Sequence, residues 1–499
     1  MNKTASSSDD VDKLKRIVGE QKAVISLLNE QIAWFKKQLY GTGKSERLDA
    51  AQLRLQLGEL EEKLEQVKKQ SIAYERSSPK AGKHETPAER FKDLPIEEIV
   101  VVEPEEVEAE PEAFEKISEE ETFEVDIHPP KLFKRRIVYP KYRRKDDKAQ
   151  PPVIAPALKR PIDGSYASAG LLAWIVLNKY VQHMPLYRQE KASPMWGAQL
   201  SRKTMSDWVE AVAEWLKPIY NHIKQQLLSA PYLQGDETPV QYCDPDHKKG
   251  KTEQGWLWAI SCPGGDVIFD WRLSRRHGEL TSLLDGYDGL LQSDAYGAYE
   301  DYASKHPQLT LLGCMAHARR KFCDALSSHP REAGLVLELI GKLYAHESAY
   351  REEQLDAPER LARRGRDTPI TLQRLKRVIA VCSHRALPKS ALGKACTYAT
   401  NQWERLIAYT DHGIAEIDNN LMENAIRPSA LGKKNFLFIG HPDAGERSAI
   451  IYSLVLSCQS HGVDPHTYLK DVLSRLPTMT NQDDIGDLAP SQWSPLVKD

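Results

Sequence analysis

Over residues 1–70 apolar side chains recur at alternating three- and four-residue intervals, the spacing of an a/d seam on an α-helix. Val11, Leu14, Val18, Ile25, Leu28, Ile32, Phe35 and Leu39 lie on this seam, with Gln21 as its one polar member. Gly41 and Gly43 interrupt it, and Leu53, Leu57, Leu60, Leu64 and Val67 begin a second one. Two helices joined by a glycine loop follow from this pattern. They form either a coiled coil that makes a homodimer or higher oligomer, or a hairpin within one chain. The loop Gly41-Thr42-Gly43-Lys44-Ser45 ends like a phosphate-binding loop. However, Gln38 stands where that pattern needs glycine, and a heptad helix where it needs a strand, so no nucleotide site is expected. Residues 71–95 are polar, carry Pro79, Gly82 and Pro87, and read as a linker.

Residues 96–160 read as a small β-rich unit with strand-like pieces at Ile99–Val102 and Ile137–Tyr139, closed by Pro151, Pro152, Pro156 and Pro161. From Ser165 to Leu228 the apolar pattern turns helical, with a break at Pro194–Gly197. Ser201 is placed to cap a helix running through Trp208 to Leu216, with Arg202 and Lys203 exposed at its start. A helix, a glycine break and a second helix with a basic front resembles a helix-turn-helix, and a packed helical connector gives the same pattern.

Strands begin at Pro231. Pro231–Gly235 is a short apolar strand ending in Asp236, and Trp256–Ser261 with Val267–Trp271 flank the turn Pro263-Gly264-Gly265 as a hairpin. A helix at Gly278–Leu284, a strand at Gly289–Ser293 ending at Asp294, a strand at Leu309–Cys314 and a helix at His317–Leu326 complete the series. This order, with acids after the first and fourth strands, resembles the ribonuclease-H-like fold of polynucleotidyl transferases. A third acid is then expected on a later helix, and Glu423 is the candidate, with Asp418 in reserve. The 129 residues from Asp294 to Glu423 exceed what such a core requires, so a helical insertion is expected at about 330–410.

Composition adds bounds. At 499 residues the chain is long enough for roughly three domains on the usual ~150-residue prior. Its 41 % hydrophobic and 28 % charged content excludes collagen-like, wholly disordered and disulfide-scaffold classes. Seven cysteines without a Cys-x-x-Cys pair point to a reducing compartment. Met1–Asp10 has no apolar signal core, and the longest apolar run, Ala169–Leu177, is about half of the ~20 residues a span requires. A cytoplasmic location with no membrane partner is expected. The net charge of −3 conceals strong segregation. Residues 97–126 hold fourteen acidic residues against one lysine, a charge of −13, which leaves +10 for the remainder. Residues 131–148 alone carry +7. A basic protein with an acidic insert implies a polyanionic partner, with the insert competing for the adjacent basic stretch.

The resemblance becomes specific in the segments GDETPV (235–240), LLQSDAYGAY (290–299), GCMAHARRKF (313–322), DNNLMENAIRP (418–428) and DAGERSAIIYSLVLSCQSHGVDPHTYLKDVL (443–473). In this order they are similar to successive blocks of the insertion-sequence-66 family of DDE transposases, and GTGKSERLDAAQLRLQLGELEE (41–62) is similar to that family's leucine-zipper region. The resemblance covers nearly the whole chain. It implies an α/β multidomain protein with a ribonuclease-H-like catalytic core over 229–435, the helical insertion within it, and an N-terminal coiled coil (1–70). The linker (71–95), the β-rich unit (96–160), a helical region (161–228) and a C-terminal helical region (436–499) make up the rest. It further implies binding of transposon ends and target DNA, with metal-dependent cleavage and strand transfer and element-encoded accessory proteins. In-line phosphodiester transfer uses two divalent cations about 3.5–4 Å apart, and hard Mg²⁺, which Mn²⁺ can replace, prefers oxygen ligands. By resemblance Asp236 bridges both ions, and Asp294 and Glu423 complete the two sites. No covalent enzyme intermediate is implied.

Each assignment has a plainer counterpart. Glu237 adjoins Asp236, but neighbours on a strand point to opposite faces. Asp294 can simply open a turn, and Asn420-x-x-Glu423 is also an Asn-led capping box. Arg427, one turn after Glu423, with Lys433 and Lys434, either contacts DNA phosphate or forms a solvated charge run. Arg319, Arg320 and Lys321 are expected to contact phosphate, as are Arg202, Lys203, Arg143 and Arg144. Cys314-x-x-His317 resembles a short motif near a core strand end in several DDE transposases; a zinc site there needs two further ligands that local spacing does not supply. Many family members carry two Cys-x-x-Cys pairs within the region matching 100–148. This chain has no cysteine before Cys243, which puts structural zinc in doubt. A catalytically inactive DNA-binding relative and a coiled-coil assembly protein are the rival readings.

Overall fold

The computed structural model describes residues 130–143, 145, 151–244, 252–480 and 482–495, together with Ile96 and Glu112. The chain divides into two compact units, residues 1–124 and 125–499. Of the first, only Ile96 and Glu112 are described, so the heptad seams, the linker and Ile99–Val102 lie outside the described residues.

The second unit opens with a two-residue antiparallel ladder, β1 (Lys141–Tyr142) on β2 (Val153–Ile154). The expected strand at Ile137–Tyr139 pairs with no strand among the described residues. Pro140 supplies no N–H, Val138 is exposed, and the Tyr139 hydroxyl instead accepts from the Leu158 amide at 3.1 Å. Among the closing prolines, Val153 and Ile154 form the second strand of the ladder.

Helices α1 (Ala169–Tyr180), α2 (Leu186–Ala192) and α3 (Arg202–Leu228) follow. Gly197, at φ 103°, turns the chain between α2 and α3 in a conformation that side chains disfavour. The Ser201 hydroxyl caps α3 by accepting the Thr204 amide, as the sequence predicts, but the helix runs twelve residues beyond Leu216, to Leu228. Its apolar face, from Met205 and Trp208 through Leu216 to Leu227, enters the main core.

That core packs against a five-stranded mixed sheet ordered β5-β4-β3-β6-β7. Its strands are β3 (Tyr232–Cys243), β4 (Thr252–Ser261), β5 (Val267–Arg272), β6 (Leu290–Gln292) and β7 (Thr310–Leu312). The first three form an antiparallel meander, and β6 and β7 add in parallel. Helices α4 (His277–Leu284), α5 (Gly297–Lys305) and α6 (Met315–Ala325) connect and follow the later strands. β3 does not end before Asp236, because β4 pairs with it as far as Cys243↔Thr252. The local signal of Pro239 is overridden since β6 stops at Gln234↔Gln292. At Pro239 that flank of β3 pairs with no described strand, being bridged only further on by Ile439 at Tyr242, and an edge tolerates proline.

The expected insertion is present as α7 (Pro330–Glu352), α8 (Ala357–Asp367), α9 (Pro369–Arg385), α10 (Ala391–Asn401) and α11 (Trp403–Ile407). These helices enclose a second core around Leu339, Leu343, Leu375, Ile379 and Trp403. The chain returns to the sheet in α12 (Asn420–Phe436), then α13 (Asp443–Ser460) and α14 (Pro465–Arg475). α13 covers edge strand β5, where the hydroxyls of Ser453 and Ser457 accept the Phe269 and Val267 amides at 2.8 and 3.0 Å. Edge amides that would otherwise invite another chain are thereby satisfied. No described helix is long and apolar enough to cross a membrane.

Candidate active site

Register brings two of the acids together. Gln234 on β3 pairs with Gln292 on β6, and Asp236 and Asp294 each lie two residues further along their parallel neighbours. The glutamines are buried and joined, Gln234 Nε2 donating to Gln292 Oε1 at 2.9 Å. Their remaining donors hold the segment returning from the insertion. Gln234 reaches the Asp418 carbonyl at 3.0 Å, and Gln292 reaches those of Glu416 and Gly313 at 2.9 and 3.0 Å. This polar layer delivers the start of α12 to the sheet, so Glu423, on its first turn, comes within electrostatic reach of Asp236.

The electrostatics record that convergence. Burial, with the charges of Glu237, Asp294 and Glu423 added, pushes the Asp236 carboxyl up to about 7. Asp236 Oδ1 accepts the Glu237 amide at 2.9 Å, and Asp294 Oδ1 accepts the Tyr296 amide at 2.8 Å. The turn reading of Asp294 therefore holds alongside its place in the cluster. Glu423 makes no capping box: its Oε2 accepts from Arg320 at 3.1 Å, and Oε1 is buried with no hydrogen-bond partner. Asp418 is already engaged, accepting from the Tyr344 hydroxyl at 2.6 Å and the Asn420 side chain at 2.7 Å.

Glu237 is separated from Asp236 by its partners. Its side chain is 1 % exposed, paired with Arg275, whose Nε donates at 2.9 Å, and approached by the Tyr299 hydroxyl at 3.2 Å. Arg275 in turn lies 3.6 Å from the Tyr296 ring centre and 4.8 Å from that of Trp256. Gly235 leaves room for this arrangement, since a Cβ there would come within 3.3 Å of the Tyr299 ring. Arg275, Tyr299 and the glutamine layer were missed in the sequence, where no local spacing links them to the acids.

The basic residues fall into different settings. Arg319, Arg320 and Lys321 are exposed on α6, with Arg320 on Glu423 and Lys321 Nζ 4.7 Å from the Tyr398 ring centre. Arg427 and Lys434 are exposed on α12. Lys433 is instead tied to β3, donating to Thr238 Oγ1 at 2.9 Å and the Pro239 carbonyl at 3.0 Å; burial, with the charge of Lys434, lowers its pKa. Its ammonium is thus engaged within the fold rather than presented to a phosphate. Arg202 and Lys203 are exposed at the front of α3, Lys203 pairing with Asp207 at 3.1 Å, and Arg143 is exposed beside β1. Arg144 lies outside the described residues. Cys314 is the N-cap of α6, and His317, one turn on, has Nδ1 3.6 Å from Glu423 Oε1.

The donor set suits a hard divalent cation, because Asp236, Asp294 and Glu423 offer carboxylate oxygens from three elements, and burial, with smaller additions from neighbouring acids, raises the pKa of Asp236. A mixed sheet presenting two acids at adjacent strand positions and a third from a later helix is the arrangement expected of ribonuclease-H-like polynucleotidyl transferases. Residues 164–447 match the family model described as "Transposase IS66 family", residues 453–491 match "IS66 C-terminal element", and residues 27–99 match "Transposase C of IS166 homeodomain". The chain belongs to the IS66 family of transposases, with a DDE catalytic domain, an N-terminal leucine-zipper region and the family's C-terminal element. Its DDE domain implies a ribonuclease-H-like core and a polynucleotidyl transferase activity of the divalent-metal-using kind. Two similar proteins, both named as uncharacterised, come from Sinorhizobium fredii. y4jD is 31 % identical over 97 % of this chain and 96 % of its own length, and y4qI is 29 % identical over 98 % and 93 %.

Proposed function

We propose that this transposase binds the ends of an insertion-sequence element and, at Asp236, Asp294 and Glu423, cuts the DNA and joins it to a target. The observation that carries the reading is the convergence of these three acids, with Asp236 raised to about 7 by burial and by its acidic neighbours. Such a cluster is costly without a cation and suited to one. Asp236, Asp294 and Glu423 would hold Mg²⁺, or Mn²⁺ in its place, which would supply activation of the attacking hydroxyl and stabilisation of the leaving oxygen.

The protein's own groups orient this site. The pair with Arg275 holds the Glu237 side chain in place, and Arg320 holds Glu423 until a cation competes for it. Arg319, Lys321, Arg427 and Lys434, with Arg202, Lys203, Arg143 and Arg144, are the proposed phosphate contacts. Assembly through the heptad seams, element-encoded accessory proteins and a bacterial cytoplasmic setting belong to the same reading. Retention of all three acids argues against the inactive relative, and the catalytic blocks argue against a pure assembly protein. The test is cleavage and joining of DNA carrying the element's ends with Mg²⁺ or Mn²⁺. Loss of both steps in Asp236→Asn, Asp294→Asn and Glu423→Gln is expected, and activity surviving in either aspartate variant overturns the assignment.

A further inference from the structure

Sequence spacing left Cys314 and His317 two ligands short of a closed metal site. The fold brings in a third group from 106 positions beyond His317, the difference between 423 and 317. Cys314 Sγ, a ring nitrogen of His317 and a carboxylate oxygen of Glu423 all lie within 4.8 Å of one another, and this is the one such cluster among the described residues.

Two of the three donors lack any other use. His317 Nδ1 and Glu423 Oε1 are buried atoms without a hydrogen-bond partner, although they stand only 3.6 Å apart. Leaving two such atoms unsatisfied is unfavourable, and a shared cation would satisfy both. The sulfur is prepared in another way. Cys314 caps α6, and the backbone amides of Asn419, at 3.3 Å, and of His317 both point at Sγ. Burial outweighs these amides and pushes the free Cys314 thiol up to about 12, so a bound cation, not the empty site, would draw off its proton. Each of the His317 and Glu423 side chains is 24 % exposed, so an ion has a way in and a fourth position open to water.

We propose that Cys314, His317 and Glu423 form a binding site for a borderline-soft divalent cation of the zinc class. One sulfur, one imidazole nitrogen and one carboxylate oxygen favour Zn²⁺ or Co²⁺ and disfavour Mg²⁺, which seeks oxygen alone. On binding, the Cys314 thiol proton passes to solvent and the sulfur's electron pair forms the metal bond. The site deepens the reading of Glu423 as a metal ligand: a zinc-class ion would compete for the carboxylate proposed to serve the magnesium cluster.

The test is Co²⁺ titration of the metal-stripped full-length protein, followed by absorption spectroscopy. One equivalent is expected to give a thiolate-to-cobalt charge-transfer band, displaced by Zn²⁺ and retained in excess Mg²⁺. Cys314→Ser should abolish the band, and His317→Ala and Glu423→Gln should each weaken Co²⁺ affinity at least about tenfold. The Asp236→Asn/Asp294→Asn double variant should keep the band, so the site can stand even if the catalytic assignment fails. Absence of the band, its survival in Cys314→Ser, or unchanged affinity in His317→Ala overturns the proposal. If circular dichroism shows Cys314→Ser to be unfolded, the other two variants decide.

Discussion

The side-chain amide of Asn419 donates to the Gly235 carbonyl at 3.0 Å, fastening the start of the helix that carries Glu423 to the strand residue just before Asp236. The backbone amide of the same residue donates to Cys314 Sγ, so α12 is held to β3 and α6 at one point. Asn419 is fully buried, and its truncation removes a buried hydrogen bond at a cost of about 1–3 kcal/mol. Asn419→Ala is therefore expected to lower the melting temperature. Because a displacement of about 1 Å at a reacting centre costs about 100-fold in rate, strand transfer should fall by that order even where the variant is fully folded. Leu421→Ala, at an exposed position of the same turn, is the control. A lower melting temperature with unaltered strand transfer would show that Asn419 serves stability alone.

The acids proposed for the site stand out in the sequence because each occupies a recognisable position along its element. Asp236 and Asp294 follow apolar runs, and Glu423 begins an amphipathic helix. The insertion was legible from the length between Asp294 and Glu423. What holds the acids was not legible. Arg275 is 38 residues from Glu237, and Gln234 and Gln292 are 58 residues apart, so only the folded register joins them. The first strand was expected to end at Asp236, where its apolar run stops, whereas pairing with β4 carries it on to Cys243. At Ile137–Tyr139 β-branched and aromatic residues look like a strand, yet among the described residues no strand pairs with them.

Asp236 links metal, pH and stability. Its carboxyl is raised from 3.8 to about 7, so between these values the folded protein holds a proton that the unfolded chain has released. Unfolding free energy contributed by this group is present below about pH 4 and is lost as pH rises through about 7. Asp236→Asn escapes that loss, which amounts to a few kcal/mol on the order of ~1.4 kcal/mol per pKa unit. In chelator, the variant's melting temperature should match wild type near pH 4 and exceed it near pH 8, and saturating Mg²⁺ should narrow the gap. An equal difference at both pH values would remove Asp236 as its source.

Glu237 and Arg275 form a pair in which the carboxylate is 1 % and the guanidinium 35 % exposed. Removing the arginine strands a buried acid, whereas removing both charges does not. Arg275→Met should destabilise by about 2–4 kcal/mol, less than a wholly buried pair because solvent reaches the guanidinium. Glu237→Gln combined with Arg275→Met should recover much of the loss. A double-mutant cycle by denaturant unfolding measures the coupling, and additive effects would mean that the pair contributes no interaction of its own.

In the insertion, Arg364 is 0 % and Glu347 2 % exposed, and they meet through two hydrogen bonds of 2.8 and 2.7 Å. The remaining guanidinium donors bind the carbonyls of Tyr409, His412 and Ala415 at 2.8, 2.9 and 2.9 Å. Those carbonyls belong to the segment leading into Glu416, Asp418 and α12, so Arg364 connects the helical insertion to the path that delivers Glu423. Arg364→Met leaves Glu347 charged and unpaired and the three carbonyls without this donor, a loss of about 3–5 kcal/mol. Unfolding monitored by hydrogen exchange should show early opening of α8 and residues 409–415, with the main sheet retained. Because Glu423 depends on that segment, DNA cleavage should be lost at temperatures where the sheet is still protected. Full cleavage accompanying an opened insertion would mean that the glutamine layer and Asn419 position α12 without Arg364.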